Sequence, residues 1–185
     1  MNNLAELLTV NIDSNELASN WYEQIKYSDS FVYDTRNYVP ISFFNNYFQN
    51  LITTITDEMK IAYKNIILQV HDKSLVDGKY SLNITHKDAD RISCLTVPLV
   101  YNKMEPIRFY DDSVVLPSRK QQITAKPEQV SAYSNKHPTL VNVNKLHNVR
   151  VINDDDPRIL LQLSFDQKFD DIIESQTDKW RILDK

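Results

Sequence analysis

Residues 79–88 read KYSLNITHKD, and apolar and polar side chains alternate along this stretch. Such alternation predicts a β-strand with one buried face. Three apolar side chains come first on that face: Tyr80, Leu82 and Ile84. His86 and Asp88 continue the same face. Residues at i and i+2 of a strand lie about 6.6 Å apart, so both side chains can bind one ion. The stretch therefore predicts a strand that begins in the core and ends in two potential metal ligands.

A His-x-Asp pair alone is a weak signal, but two later features add to it. His147 lies in a second β-rich run, residues 140–149. Arg158 follows His147 by eleven residues and begins an alternating run that ends at Phe165. Two His and one carboxylate form the facial triad of non-haem Fe(II) oxygenases, which leaves coordination positions open. An Arg on the next strand suits two-pronged binding of a carboxylate.

Together these residues resemble the motif of the Fe(II)/2-oxoglutarate-dependent oxygenases: His-x-Asp, a distal His, and an Arg about ten residues further on. The motif matches His86-Lys87-Asp88, His147 and Arg158. Residues 91–99 and 138–149 are also similar to the segments that follow the first pair and present the distal His. The similarity covers roughly residues 66–165.

The resemblance implies a double-stranded β-helix, a jelly roll of the cupin type; the N-terminal helical segment that precedes it is predicted from the residue pattern alone. It implies Fe(II) held by His86, Asp88 and His147 as the catalytic ligands, with 2-oxoglutarate as co-substrate. Arg158 would bind the far carboxylate of 2-oxoglutarate. Many members carry Ser two residues after this Arg, but Leu160 stands there, which leaves Ser164 and nearby Tyr residues as candidate second partners. The implied activity is a dioxygenase that hydroxylates a substrate such as an amino-acid side chain.

Simpler interpretations stay open for each residue. His86 could be a packed histidine, Asp88 a strand-end cap and His147 a turn residue. Arg158 could pair with the acidic turn at residues 154–156. The same β-fold could also serve as a non-catalytic module that binds a sugar or peptide, or as a structural protein that retains the oxygenase fold.

The remaining pattern predicts a single domain of 185 residues. Residues 1–64 are predicted to be mainly helical, with an N-cap signal at 13–16 and an apolar stripe over 44–59. Residues 65–166 form the predicted β-core, and 167–185 a tail with a short helix. The β-rich runs are 66–71, 79–87, 92–101, 106–110, 139–143, 147–152 and 158–165.

Three local features refine this core. Asp77-Gly78 predicts a hairpin before the strand at residue 79. Pro98 places its strand at a sheet edge or at a bulge. Residues 111–137 are long, polar and without periodicity, which predicts a flap over the mouth of the barrel.

Composition excludes several function classes. The single glycine, Gly78, rules out the glycine-rich phosphate loops of Rossmann and P-loop proteins. The single cysteine, Cys94, rules out an internal disulfide and is predicted to pack as a small apolar residue. A net charge of −4 gives no argument for nucleic-acid binding. No apolar run reaches the length of a membrane span. We therefore expect a cytoplasmic protein with a small-molecule, peptide or protein substrate; the oligomeric state stays open.

Overall fold

The computed structural model describes residues 4–10, 12, 15–28, 38–39, 41–72, 85–88, 90–100, 106–111, 129–133, 137–149 and 157–183. These residues form a mainly antiparallel β-protein with flanking helices, as the sequence predicts. The helices are α1 (Asn15–Ile25), α2 (Asn46–Met59) and α3 (Phe169–Ser175). The strands are β1 (Leu4–Leu7), β2 (Tyr38–Val39), β3 (Asn65–His71), β4 (Ser93–Val100), β5 (Ile107–Tyr110), β6 (Gln129–Tyr133), β7 (Thr139–Val141), β8 (His147–Val149), β9 (Arg158–Phe165) and β10 (Trp180–Ile182).

The strands form two sheets. The large sheet has the order β10-β1-β7-β4-β9-β3-β2, and the small sheet has the order β6-β5-β8. From β3 to β9 the antiparallel pairs are nested: β3 pairs with β9, β4 with β7, and β5 with β6. Between the first two pairs, His86 forms an isolated antiparallel bridge with His147 of β8. The chain from β3 to β9 is therefore one long hairpin whose successive strand pairs are divided between the two sheets.

The two faces of the large sheet bury different side chains. On β9, four apolar residues pack into the main core with apolar residues of the three helices: Ile159, Leu161, Leu163 and Phe165. The opposite face belongs to a second apolar cluster, which joins Cys94 of β4 to Ile107 and Phe109 of the small sheet. Ser164 pairs with Cys94 across the strands and so lies on this second face. The predicted alternation of β9 is confirmed.

Most predicted elements are confirmed. The apolar stripe over residues 44–59 forms α2, whose N-cap Asn45 accepts a hydrogen bond from the backbone N–H of Phe48 at 3.3 Å. α1 and α3 also match predicted helices, and β3, β4, β5, β7 and β9 match predicted β-rich runs closely. No helix in this described part of the chain is long and apolar enough to cross a membrane.

Four strands correct the sequence prediction. β1 and β2 lie in the segment predicted to be mainly helical. β1 pairs with β10, which lies in the predicted tail, and β2 pairs with β3. β6 lies inside residues 111–137, so the prediction of an unstructured flap is wrong for residues 129–133. These short segments carry little periodicity of their own and form strands by pairing with neighbours that are distant in sequence.

Pro98 lies in β4, between β7 and β9 in the large sheet. The edge position is therefore wrong, but the bulge is confirmed, because the register with β9 shifts between Pro98 and Val100. Other predictions lie outside the described residues. These are the hairpin at residues 77–78, the start of the strand at 79–84, the N-cap at 13–14, the flap at 112–128 and 134–136, and the acidic turn at 154–156.

We expect Lys60→Gly to stabilise the protein by about 1 kcal/mol, because only glycine adopts left-handed backbone angles without steric cost. Lys60 ends α2 with φ 52° and ψ 30°, and its N–H donates to the carbonyl of Thr56. Thermal unfolding should show a rise of about 2–4 °C in Tm. Lys60→Ala is the matched control and should leave Tm nearly unchanged. A fall in Tm for Lys60→Gly would contradict the helix end described above.

Candidate metal centre

A pair of backbone hydrogen bonds brings two histidines together. The N–H of His86 donates to the carbonyl of His147 at 2.9 Å, and the N–H of His147 donates back to the carbonyl of His86 at 2.9 Å. Directly opposed residues in an antiparallel pair carry their side chains on the same face. The two imidazole rings accordingly lie with their centroids 4.7 Å apart.

Asp88 completes the group. Its backbone N–H donates to the carbonyl of Val143 at 3.0 Å. Its Oδ1 lies 3.3 Å from Nε2 of His86, so the predicted common face of His86 and Asp88 is confirmed. One potential ligand atom from each of His86, Asp88 and His147 lies within 4.8 Å of the others. This His–Asp–His cluster could hold a metal ion.

The state of His147 suits a metal ligand. Its side chain is buried, and its Nδ1 lies 2.8 Å from the carbonyl oxygen of Lys145. A carbonyl can only accept, so Nδ1 carries the proton. Burial, together with the neighbouring His86, lowers the pKa of His147 to about 4. The ring is therefore neutral at pH 7, with the lone pair of Nε2 available, which is the usual arrangement of a metal-binding histidine.

Asp88 is held as an anion. Burial raises the pKa of its carboxyl, but the hydrogen bond with His86 and the charge and hydrogen bond of Arg91 outweigh this effect. The net result is a pKa well below the usual range for aspartate. The cluster therefore offers a carboxylate and a neutral imidazole at neutral pH, which is the chemistry that a divalent first-row metal requires.

Arg91 contacts the cluster, although the sequence pattern did not single it out. Its Nε donates to Oδ2 of Asp88. Its Nη1 donates to Oε1 of Gln162 at 2.9 Å and to Sγ of Cys94 at 3.2 Å. In the sequence, Arg91 stands only at the start of the segment 91–99 that flanks the motif. Its position three residues after Asp88 was a signal that the two side chains could pair. Cys94 itself is buried as predicted, and burial raises the pKa of its thiol.

Arg158 and Ser164 lie on β9, away from the cluster. The Nε of Arg158 and the Oγ of Ser164 are buried and have no hydrogen-bond partner among the residues that the structure describes. Burial lowers the pKa of Arg158 to about 10, so the guanidinium stays charged at neutral pH. Arg158 shares its strand face with Gln162, which contacts Arg91. A buried, charged side chain with an unused donor is a candidate for binding an anionic ligand.

Comparison of the chain with protein-family models and with curated proteins finds no match. The family suggested by the His-x-Asp, distal His and Arg motif therefore stays a prediction from the sequence. The geometry shows that His86, Asp88 and His147 could hold one metal ion.

We expect Asp88→Asn to weaken divalent-metal binding at least about 100-fold. Loss of an outer-shell partner already costs about 10–100-fold in affinity, and this change neutralises the anionic ligand itself while keeping its shape. The measurement is calorimetric titration with Mn²⁺ or Co²⁺ at pH 7. Asp90→Asn is the matched control, because Asp90 is exposed and only its backbone carbonyl contacts Lys64. Equal affinity of Asp88→Asn and wild type would rule out the cluster as the metal site.

Proposed function

We propose that this protein is an Fe(II)- and 2-oxoglutarate-dependent dioxygenase that hydroxylates a C–H bond of its substrate. The observation that carries the proposal is the convergence of His86, Asp88 and His147 into one group of potential ligands. The residues come from the motif positions that resemble this family. The two distant parts of the chain that supply them are joined by the backbone bridge of His86 and His147.

The strand connectivity supports the corresponding fold, a double-stranded β-helix. A jelly roll results when one long antiparallel hairpin rolls up so that its strand pairs are divided between two sheets. Here the nested pairs run from β3–β9 through the His86–His147 bridge and β4–β7 to β5–β6. The first and third pairs lie in the large sheet, and the second and fourth belong to the small one. We propose a jelly roll with α1 and α2 packed outside it.

The cluster fits the iron that this function requires. His147 offers Nε2, because its Nδ1 is hydrogen-bonded to the carbonyl of Lys145. Oδ1 of Asp88 faces His86. When bound, Fe(II) supplies the redox chemistry that activates O₂ and breaks the C–H bond. The chain supplies the ligands and fixes their orientation through backbone and side-chain hydrogen bonds.

Arg158 is the residue we propose for the far carboxylate of 2-oxoglutarate. It lies four residues from Gln162 on the same strand face, about 13 Å along the strand, and Gln162 is joined through Arg91 to Asp88. A five-carbon dicarboxylate together with the long Arg side chain can span that separation. The buried Nε has no partner among the residues that the structure describes, and it is available for a charge-assisted hydrogen bond.

Ser164 has a different position. It lies six residues from Arg158 on the same strand, about 20 Å away. The two side chains therefore cannot bind the same carboxylate, and we assign only Arg158 to it.

The proposed reaction balances as follows: substrate R–H, O₂ and 2-oxoglutarate give R–OH, succinate and CO₂. One oxygen atom enters the product and the other enters succinate. An amino-acid side chain is the first substrate class to test, by a mass increase of 16 in candidate peptides. The direct test is succinate formation by the purified protein with Fe(II), ascorbate and O₂. Turnover that depends on 2-oxoglutarate and is lost in Asp88→Asn supports the proposal.

A protein that binds metal but neither binds nor consumes 2-oxoglutarate would contradict the enzymatic assignment. In that case the non-catalytic binding module is the better description. Binding of 2-oxoglutarate to the Mn²⁺-loaded protein is the decisive arm, because it does not require the hydroxylated substrate to be known.

We expect Arg158→Ala to weaken 2-oxoglutarate binding by about 100-fold or more, because a two-pronged charge-assisted contact is lost. Arg158→Lys keeps the positive charge but loses the planar, two-pronged guanidinium. Its affinity for 2-oxoglutarate should therefore lie between those of wild type and Arg158→Ala. The measurement is calorimetry on the Mn²⁺-loaded protein, with the metal Kd measured in parallel and expected to be unchanged.

Arg181→Ala is the matched control, since Arg181 lies on β10 and pairs with Glu6. Its 2-oxoglutarate affinity should equal that of wild type. If Arg158→Ala stays within threefold of wild type, Arg158 does not bind the co-substrate.

A further inference from the structure

We propose that Arg91 is a positioning residue that restricts Asp88 to binding the metal through one oxygen, and that Gln162 anchors Arg91 for this task. The inference rests on the proposed metal centre and extends it to a residue outside the ligand set. It also connects the ligands to β9, the strand that carries the proposed co-substrate residue Arg158.

The contacts of Arg91 divide the two oxygens of Asp88. Oδ2 accepts a hydrogen bond from Nε of Arg91, whereas Oδ1 lies 3.3 Å from Nε2 of His86. The side chain of Asp88 is 12% exposed and that of Arg91 is 18% exposed, so solvent screens this contact little. One oxygen is therefore committed to the guanidinium, and the other faces the position shared with the histidines.

This division sets the number of free coordination positions. A six-coordinate ion with three protein ligands keeps three positions, which 2-oxoglutarate and O₂ together require. A carboxylate that bound through both oxygens would take one of them. By holding Oδ2, Arg91 would limit Asp88 to one coordination position of a bound ion. All three remaining positions would then be free for 2-oxoglutarate and O₂.

The orientation of Arg91 is itself fixed from the large sheet. Its Nη1 donates to the buried Gln162 of β9 at 2.9 Å and to the buried Cys94 of β4 at 3.2 Å. Three acceptors arranged around one planar group match the rigid fork of an arginine, and a lysine cannot reach them together. A surface ion pair needs no such anchoring, so this geometry favours a role in aligning Asp88.

The test compares Arg91→Gln, Arg91→Lys and Gln162→Leu with wild type. The readouts are the Co²⁺ affinity by calorimetry, the visible absorption spectrum of the Co²⁺-loaded protein, which reports coordination geometry, and the 2-oxoglutarate affinity of the Mn²⁺-loaded protein. In Arg91→Gln we expect a 10–100-fold loss of Co²⁺ affinity, a changed Co²⁺ spectrum and weaker 2-oxoglutarate binding.

In Arg91→Lys we expect partial recovery of the Co²⁺ affinity and spectrum, because lysine restores the positive charge but not the planar guanidinium. Gln162→Leu removes the anchor while leaving Asp88 paired, so it keeps the test valid if Arg91→Gln fails to fold. We expect it to change the Co²⁺ spectrum in the same direction and to a smaller extent. Arg181→Gln is the matched control, because it breaks an arginine–carboxylate pair with Glu6 of β1, which lies three strands away from β9 in the large sheet.

The outcomes separate the two proposals. Wild-type protein that binds no metal would overturn the metal centre and with it the role of Arg91. Wild-type protein that binds metal and 2-oxoglutarate, beside Arg91→Gln and Gln162→Leu proteins with unchanged Co²⁺ spectra and affinities within threefold, would overturn the role of Arg91 alone. A fall in thermal stability without those changes would identify Arg91 as structural only.

Discussion

Two backbone hydrogen bonds between His86 and His147 are the constraint on which the candidate site depends. They hold together two side chains from distant parts of the chain, and their antiparallel geometry places both imidazoles on one face. The hydrogen bond from Asp88 to the carbonyl of Val143 continues the same contact. The backbone therefore sets the positions of the three residues that could hold a metal ion.

The nested strand pairing determines what surrounds this contact. One face of the large sheet packs against the helices and forms the main core, while the other faces the small sheet and carries the polar residues of β9. The link from Asp88 through Arg91 to Gln162 crosses between these layers. A buried network of this kind is favourable only when its donors and acceptors are matched, as they are at Arg91. Nε of Arg158, on the same strand face as Gln162, has no partner among the described residues, and an anionic co-substrate would satisfy it.

Much of this arrangement could be predicted from the sequence. The alternation of apolar and polar residues predicts that His86 shares a strand face with Asp88, and that Arg158 shares one with Gln162. The amphipathic stripe of α2 was equally readable. β1, β2, β6 and β10 could not be predicted, since each is short and is stabilised by a partner strand distant in sequence. The contacts of Arg91 could not be predicted for the same reason: its acceptor Gln162 becomes a neighbour only when β9 lies beside β4.

Anomalous X-ray diffraction from crystals grown with Mn²⁺ and 2-oxoglutarate tests the central claim most directly. The account predicts one manganese peak about 2.0–2.2 Å from ligand atoms of His86, Asp88 and His147. It also predicts that Asp88 contributes a single oxygen and that the far carboxylate of 2-oxoglutarate contacts Arg158. A manganese peak away from these three residues, or no ordered metal at saturating concentration, would contradict it.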